Sequence, residues 1–490
     1  MNRTVPVLAL IVANASSATA QTTYTIPSAD TPTLQFALEA PASPVMPGDT
    51  IELTDAGFYL SAYTVDIPDL TIRGAAGQMI VVDGLGLGSV FTVLPAGSGV
   101  TFENLTITGG GNTDDGGGIN AAGADITLRN CVITGNAADD DGGGINVSNA
   151  AAVIENTVIS NNVLNEPNIS DNGGGMNGTT AVVTIVGSTF TGNVANDIGG
   201  GLYFNGSTID VRQSTFEGNQ ARGGGGLGFR LGTNGIVADC VFEGNISALD
   251  GGGIFSSASW PDFLRCRIIN NEAQSDGGGI TINGETTEEV DLTSCLIAGN
   301  TASGRGGGAI AQVGPDGSLI NCTVVDNTAM EGGGVISVGA GAGLRVRNAI
   351  IRDNAPSQYP ISATNVAFNC NISGGELANN TNVIDVDPMF VDPANGDYRL
   401  MEGSPSIDAG DAGFLNTQAD PSDLDGRSRA VTADARSATG EPILGLFVDH
   451  GAFEFQPLTS ADCPADQNFD GQLTPGDFNA WVLNFNAGCD

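Results

Sequence analysis

The sequence has no lysine. All 16 of its basic residues are arginine, and 55 acidic residues outnumber them to give a formal net charge of -39. A surface this acidic repels phosphate backbones and anionic headgroups, which excludes nucleic acid and anionic membrane surfaces as partners. Histidine is almost absent as well, with His450 the single copy, so histidine-rich metal sites and histidine-based acid–base chemistry have almost no material. No Cys-x-x-Cys pair occurs, which removes zinc-ribbon and thioredoxin-type readings. Beyond the first residues no apolar run approaches the ~20 residues that a membrane-spanning helix needs. The start itself has the order of a secretion signal: Arg3, the apolar stretch Val5–Ala13, and Ala18-Thr19-Ala20 before Gln21. A signal over residues 1–20 predicts an exported chain, secreted or held at the cell surface or outer membrane, with no transmembrane segment.

Glycine, by contrast, is abundant at 72 residues, and it is periodic. Three glycines followed by an apolar residue begin at positions 116, 142, 173, 199, 224, 251, 277, 306 and 332. Most steps are 25 to 27 residues, and two are longer, with insertions at Asn165–Asn168 and Gly284–Glu288. An asparagine keeps the same beat: Asn136, Asn162, Asn193, Asn219, Asn245, Asn271, Asn300, Asn327 and Asn354. A fixed period in this range marks a stacked repeat rather than a disordered glycine-rich chain.

Aligned on the asparagine, the position three residues earlier is apolar in every copy (Ile133, Phe216, Phe242, Val324 among them). The position five earlier is small in every copy, as in Cys131, Thr157, Ser188, Cys240 and Cys322. Side chains two apart on a strand share a face, so both columns line one interior. Residues between them, such as Arg129, Glu155, Val186 and Arg212, vary as a solvent face does. The pattern predicts an all-β chain wound as a right-handed parallel β-helix. Its asparagines serve as turn residues that tolerate left-handed angles and bond to neighbouring rungs, and its glycines form a tight corner. The expected division is residues 21–110 for an N-terminal cap and first turns, with a helix over Pro32–Ala40. Residues 111–355 hold the repeats, 356–457 the last rungs and an irregular cap, and 458–490 a separate module.

The pairing of Gly-Gly-Gly-Ile with Phe-x-Gly-Asn, as in Phe216-Glu217-Gly218-Asn219 and Phe242-Glu243-Gly244-Asn245, resembles the repeats of polymorphic outer membrane proteins. That resemblance implies the fold and a surface location. Asp387-Pro388-Met389-Phe390-Val391-Asp392-Pro393, Ser404-Pro405-Ser406-Ile407-Asp408-Ala409-Gly410 and Asp449-His450-Gly451-Ala452-Phe453-Glu454 look like the "choice-of-anchor" tail of secreted β-helix proteins. Arg399 and Arg427 in this stretch are expected to pair internally.

The module at the end carries the clearest site. Oxygen donors at Asp466, Asn468, Asp470 and Asp477 have the spacing of a calcium loop, with Gly471 at its turn. Gln472 contributes its backbone carbonyl, and Thr474 contributes directly or through water. A helical stretch, Phe478–Phe485, follows. The loop and helix are similar to a dockerin repeat, which implies calcium as the cofactor and a docking protein as a partner. Dockerins carry two loops, and this sequence holds one. Cys463 and Cys489 bracket the module, and an exported chain permits a disulfide between them.

Three further features bear on function. A carboxylate precedes the glycines at Asp115, Asp141, Asp250, Asp276 and Glu331, an acidic edge that invites a divalent ion. Tyr203 and Phe255 stand on the outer face after their glycine runs, placed to stack on sugar rings. Arg230, Arg265 and Arg345 are the bases available to a lyase that has no lysine. The first reading is an exported, non-catalytic rod for surface display, adhesion, or binding of cell-surface or matrix polysaccharide, with a calcium-dependent docking module. The alternative is a polysaccharide-degrading lyase or glycoside hydrolase built on the same coil.

Overall fold

The computed structural model describes residues 21–455, apart from 29–30, 40–42, 79, 112, 166–169, 285–288, 305, 314–316, 334, 338–342, 358–365, 375–379, 415–421, 430 and 433–445. The signal stretch, most of both repeat insertions, the calcium loop and the Cys463/Cys489 pair lie outside the described residues.

The chain is a right-handed parallel β-helix whose turns present three main ladders of strands. A glycine-side ladder of 11 strands runs from Tyr63–Val65 to Val335–Ser337. A long ladder starts at Thr23–Ile26 beside Thr50–Leu53, and continues through Ile126–Arg129 and Leu344–Arg347 to Val366–Ile372 and Asn380–Ile384. A short ladder runs from Phe58–Leu60 through Val132–Thr134 to Ile350–Arg352. All of these pairings are parallel and in register, so equivalent repeat residues stack at the ~4.8 Å spacing of neighbouring strands. The helix predicted near the N-terminus forms over Thr31–Leu38 and lays Leu34 and Leu38 on the coil's first turn.

The apolar column is fully enclosed, and its Phe190, Phe216 and Phe242 rings stack at 4.9 and 4.7 Å. The small column does more than fill space. Oγ1 of Thr157 accepts the Cys131 N–H at 3.3 Å, Oγ of Ser188 accepts the Thr157 N–H at 3.2 Å, and Oγ of Ser214 accepts the Ser188 N–H at 3.1 Å. Sγ of Cys295 accepts the Cys266 N–H at 3.4 Å in the same way. Ser, Thr and Cys interchange here because each brings a small acceptor to one buried N–H. The column's cysteines are free and buried, and Cys370 extends it by one rung.

The asparagine column forms the ladder expected of it. Nδ2 of Asn219 donates to the Phe190 carbonyl at 2.9 Å and to Oδ1 of Asn245 at 3.0 Å, while Oδ1 of Asn219 accepts the Asn193 N–H at 3.0 Å. One detail of the expectation is corrected. The left-handed residue is not the ladder asparagine but its predecessor, as at Gly135, Asn161, Gly218, Asn270 and Asp326. The ladder asparagine points its amide into the coil, and the residue before it makes the bend.

Residues beyond the last rungs lie along the flank of the coil. A strand pair, Phe390–Asp392 with Asp397–Leu400, and the stretch around Ala452 and Phe453 pack on the outer face of the short ladder at Leu296, Ala298, Val325 and Ile350. Those outward residues are 1–5% exposed.

Candidate functional site

The glycine corner explains why three glycines stand together. The first has a left-handed backbone in the copies from Gly116 to Gly277, φ +72° at Gly199, a conformation that glycine adopts without strain; in the copy that begins at Gly306 it is the second, Gly307. The next two lie against the following rung. A Cβ on Gly200 would meet the Gln220 carbonyl oxygen at 2.3 Å, and one on Gly201 would meet the Gly226 carbonyl oxygen at 2.6 Å.

The acidic edge beside this corner is held by backbone N–H groups. Oδ1 of Asp115 accepts the Asp141 N–H at 3.2 Å, and Oδ1 of Asp141 accepts the Asn172 N–H at 2.7 Å. Higher up, Oδ1 of Asp250 accepts the Asp276 N–H at 3.2 Å, and Oδ1 of Asp276 accepts the Gly306 N–H at 2.7 Å. Each carboxylate thus ties its corner to the next turn. Burial raises the Asp115 carboxyl and pushes Asp141 up to about 7. No group of three or more metal-ligating side chains converges for a cation among the described residues.

Outside the glycine-side ladder a second asparagine stack runs beneath these corners. Nδ2 of Asn146 donates to Oδ1 of Asn120 at 3.2 Å, and Nδ2 of Asn177 donates to Oδ1 of Asn146 at 2.7 Å. Tyr203 continues the stack. It was expected to offer its ring to solvent, and the structure corrects this: Tyr203 is 3% exposed and Phe255 half-buried, because the acidic corners fold over the strand. Burial pushes the Tyr203 phenol up to about 12, with nearby Arg230 drawing it the other way. Asp197 completes the corner. Its carboxylate is 6% exposed and holds Arg222 at 3.3 Å and Arg230 at 3.2 Å.

The three arginines named as candidate bases are each engaged. Arg230 pairs with Asp197, Arg265 grips Asp239 with two bonds of 2.6 and 2.9 Å, and Arg345 pairs with Glu289. Arg399 pairs with Asp397 at 2.6 Å, as expected, whereas Arg427 is exposed and, among the described residues, is held through its backbone, its N–H donating to Oδ1 of Asp423 and its carbonyl accepting the Asp423 N–H. His450 is 2% exposed. Its Nε2–H donates to the Ala409 carbonyl at 2.9 Å, and burial lowers the imidazole to about 4.

Sequence reasoning missed the most buried ionic group, which lies under the flank segment. Arg429 is fully enclosed and donates to Oγ of Ser294 (3.0 Å) and to the Gly451 (3.1 Å) and Ala452 (2.6 Å) carbonyls, with Glu454 at 3.7 Å. Burial pushes Asp449 up to about 7 and holds Glu454 well above the usual carboxylate range. A signal was present on the ladder underneath. The outward column reads Thr191, Glu217, Glu243, then Ile269, Ala298, Val325, turning apolar where the flank lands.

A family model described as a right-handed β-helix region matches residues 92–256 and 165–329. No curated protein matches the sequence. Among solved structures, pectate lyase Pel9A aligns at 13% identity over 84% of this chain and 89% of that one, with a TM-score of 0.37. A mannuronic acid specific polysaccharide family 6 lyase from human gut microbiota aligns at 13% identity over 75% and 92%, with a TM-score of 0.35. The periplasmic alginate epimerase AlgG aligns at 11% identity over 74% and 80%, with a TM-score of 0.33. At TM-scores this low the likeness says nothing about site or substrate here. No described helix is long and apolar enough to cross a membrane.

Proposed function

We propose that the chain is an exported, non-catalytic rod that attaches to a cell-surface or matrix polysaccharide and carries a calcium-folded module at its C-terminal end. One observation supports the rod reading most: the acidic edge closes on the coil itself. Asp115, Asp141, Asp250 and Asp276 each accept a backbone N–H of the next rung. Carboxylates spent on rung-to-rung bonds stiffen a solenoid, as a scaffold needs. The calcium module rests on the sequence alone: Asp466, Asn468, Asp470, Gln472, Thr474 and Asp477 at calcium-loop spacing. Secretion and adhesion rest on the signal stretch and on the resemblance of the repeats, and fold likeness by itself assigns no activity.

The test is co-sedimentation of the purified chain with insoluble polysaccharides and cell envelopes, in calcium and in chelator, with and without residues 458–490. Attachment that needs calcium and the module supports the reading. A truncated chain that attaches equally well removes the docking role.

One corner supports a second reading, a carbohydrate-active enzyme. Asp141, with a carboxyl near 7, stands close enough to Tyr203 to influence its phenol, as does Arg230. An acid poised near neutral pH beside a phenol and a guanidinium suits proton transfer. Turnover on a polysaccharide panel that is lost in Asp141→Asn and in Tyr203→Phe, with folding intact, would put this reading first.

A further inference from the structure

The outward face of the short ladder is apolar at both ends of the coil, and the described residues cover it at only one. At the C-terminal end the chain's own flank segment buries Leu296, Ala298, Val325 and Ile350. At the other end the first rung sets Phe58 and Leu60 in the same two outward columns, as the register through Val81 and Asp83 shows. Phe58 is 60% exposed and Leu60 45%. The bend after the second rung adds Leu85 at 53% and Leu87 at 63%. This bend sits beside Leu60, because the Asp83 carbonyl accepts the Ser61 N–H at 3.1 Å. Four large apolar side chains this open on adjacent turns form a patch that water solvates poorly.

We propose that the patch is the seat of the chain's own C-terminal segment, residues 456–490, whose helix lays an apolar stripe on Phe58, Leu60, Leu85 and Leu87. The stripe is read from the sequence. Phe478, Trp481, Val482 and Phe485 recur at i, i+3, i+4 and i+7, the spacing that gathers side chains on one helix face. Three observations select this occupant. The first is continuity, since the flank segment already follows this face of the coil. The second is direction. Gly451 N–H is bonded to the Asn348 carbonyl, Ala452 N–H to Oγ1 of Thr323, and the Phe453 ring lies 5.5 Å from the Arg267 guanidinium, so residues 451–453 descend toward the first rungs before Glu454 and Phe455 bond back to Asp449. The third is reach. Arg267 stands eight rungs above Phe58 in its column, roughly 38 Å at the spacing of stacked strands. The 22 residues from 456 to 477 span up to ~70 Å when extended.

A tether of this length keeps the helix near the patch at an effective concentration in the millimolar range, well above that of a second chain in dilute solution. Calcium in the Asp466–Asp477 loop would order the helix's entry. The docking does not depend on the polysaccharide reading, because it uses an apolar face at the far end of the coil from the flank.

The full chain can report on itself, since it has two tryptophans, Trp260 and Trp481. In Trp260→Phe, Trp481 is the only indole. Its emission and its quenching by acrylamide would be followed over a range of protein concentrations, in calcium and in chelator, with calcium uptake measured separately by calorimetry. A shielded, blue-shifted Trp481 at all concentrations is expected. The further changes Phe58→Asp and Leu87→Asp should make it several-fold more quenchable with the β-sheet circular dichroism unchanged, because both side chains are exposed. Equal quenching with and without the two aspartates overturns the docking, whether or not calcium is taken up. Shielding that grows with protein concentration also overturns it, in favour of a second copy as the occupant. Calcium uptake without shielding leaves the loop's function standing while removing this one.

Discussion

The short ladder is built twice over, and its two halves differ only outside. From Val132–Thr134 to Val241–Glu243 its outer face meets water, with Val158 36% exposed and Glu217 and Glu243 exposed. From Arg267–Ile269 to Ile350–Arg352 the same two columns carry the flank segment. Inside, the halves are equivalent: the asparagine ladder crosses from Asn245 to Asn271 to Asn300 without a change in its bonds. The interior therefore specifies the coil, and the outward residues specify what the coil carries. Burying four aliphatic side chains drives the flank onto the ladder at about 1.5–3 kcal/mol for each large one fully covered, and a buried ionic group fixes where it lands.

That ionic group offers the sharpest way to separate the halves. Arg429 is enclosed with Glu454 and Asp449 near it. Arg429→Met removes the cation of the group and takes its donated bonds from the Ser294 hydroxyl and the Gly451, Ala452 and Asn321 carbonyls, of which the Ala452 carbonyl keeps the Leu424 N–H. Breaking a buried pair of this kind costs about 3–5 kcal/mol. The expected outcome is rapid proteolysis within 386–455, while rungs 126–264 keep their protection and the circular dichroism changes little. Equal loosening of both halves would mean that the flank is a structural part of the coil and not cargo.

Alkaline pH should act on the same half. Burial raises the Asp449 carboxyl to about 7, with Asp408 adding repulsion and the Phe455 and Asp408 N–H groups and Arg429 opposing it; burial also holds Glu454 well above the usual carboxylate range, with Asp449 and Asp423 among its acidic neighbours. A carboxyl raised in the folded state holds its proton there between about pH 4 and pH 7, where the unfolded chain has lost it. Stability then falls as pH rises through that window and stays low above it. For Asp449 alone the loss is at most about 4 kcal/mol. Hydrogen exchange at pH 5 and pH 8.5, corrected for the intrinsic rate, should show the flank opening first. In Asp449→Asn that pH dependence should shrink.

Exchanging outward residues between the halves gives a smaller effect. Val325 occupies the column that holds Glu243 three rungs earlier, and it is 1% exposed. Val325→Glu puts a carboxylate under the flank and should weaken it by about 2–3 kcal/mol, from lost burial and an unpaired acid. The reverse change, Glu243→Val, should leave denaturation midpoints within error. If both changes are silent, the apolar turn of the column does not hold the flank.

The same contrast marks what the sequence made legible. Interior columns repeat nine times, so chance patterns average away, and Asn219 or Phe216 can be assigned a place before any coordinates exist. The outward column was averaged away by the same alignment, which hid the step from Glu243 to Ile269. Arg429 had no repeat to betray it, because its partners Ser294 and Asn321 lie more than 100 residues away. Tyr203 was placed on the correct face, but its cover was not foreseen, since that cover comes from corners whose acids looked like free ligands. The calcium loop proposed at Asp466–Asp477 rests on spacing alone, since a hard cation needs oxygen donors in a set order, and it lies outside the described residues.

The exposed counterpart of Arg429 completes the contrast. Arg129 on the long ladder lies 2.8 Å from Glu155 and 3.6 Å from Glu103, with its side chain 43% exposed. Like Arg429 it sits among acids, but water screens it, and the side-chain entropy lost on pairing offsets much of the attraction. Arg129→Gln should therefore shift stability by no more than about 0.5 kcal/mol. Even that should disappear at 1 M salt, where screening acts over only about 3 Å. The Arg429→Met loss should persist at the same salt, because ions do not reach an enclosed guanidinium. A salt titration of both variants by chemical denaturation thus asks whether enclosure, and not charge number, sets what an arginine contributes on this acidic coil.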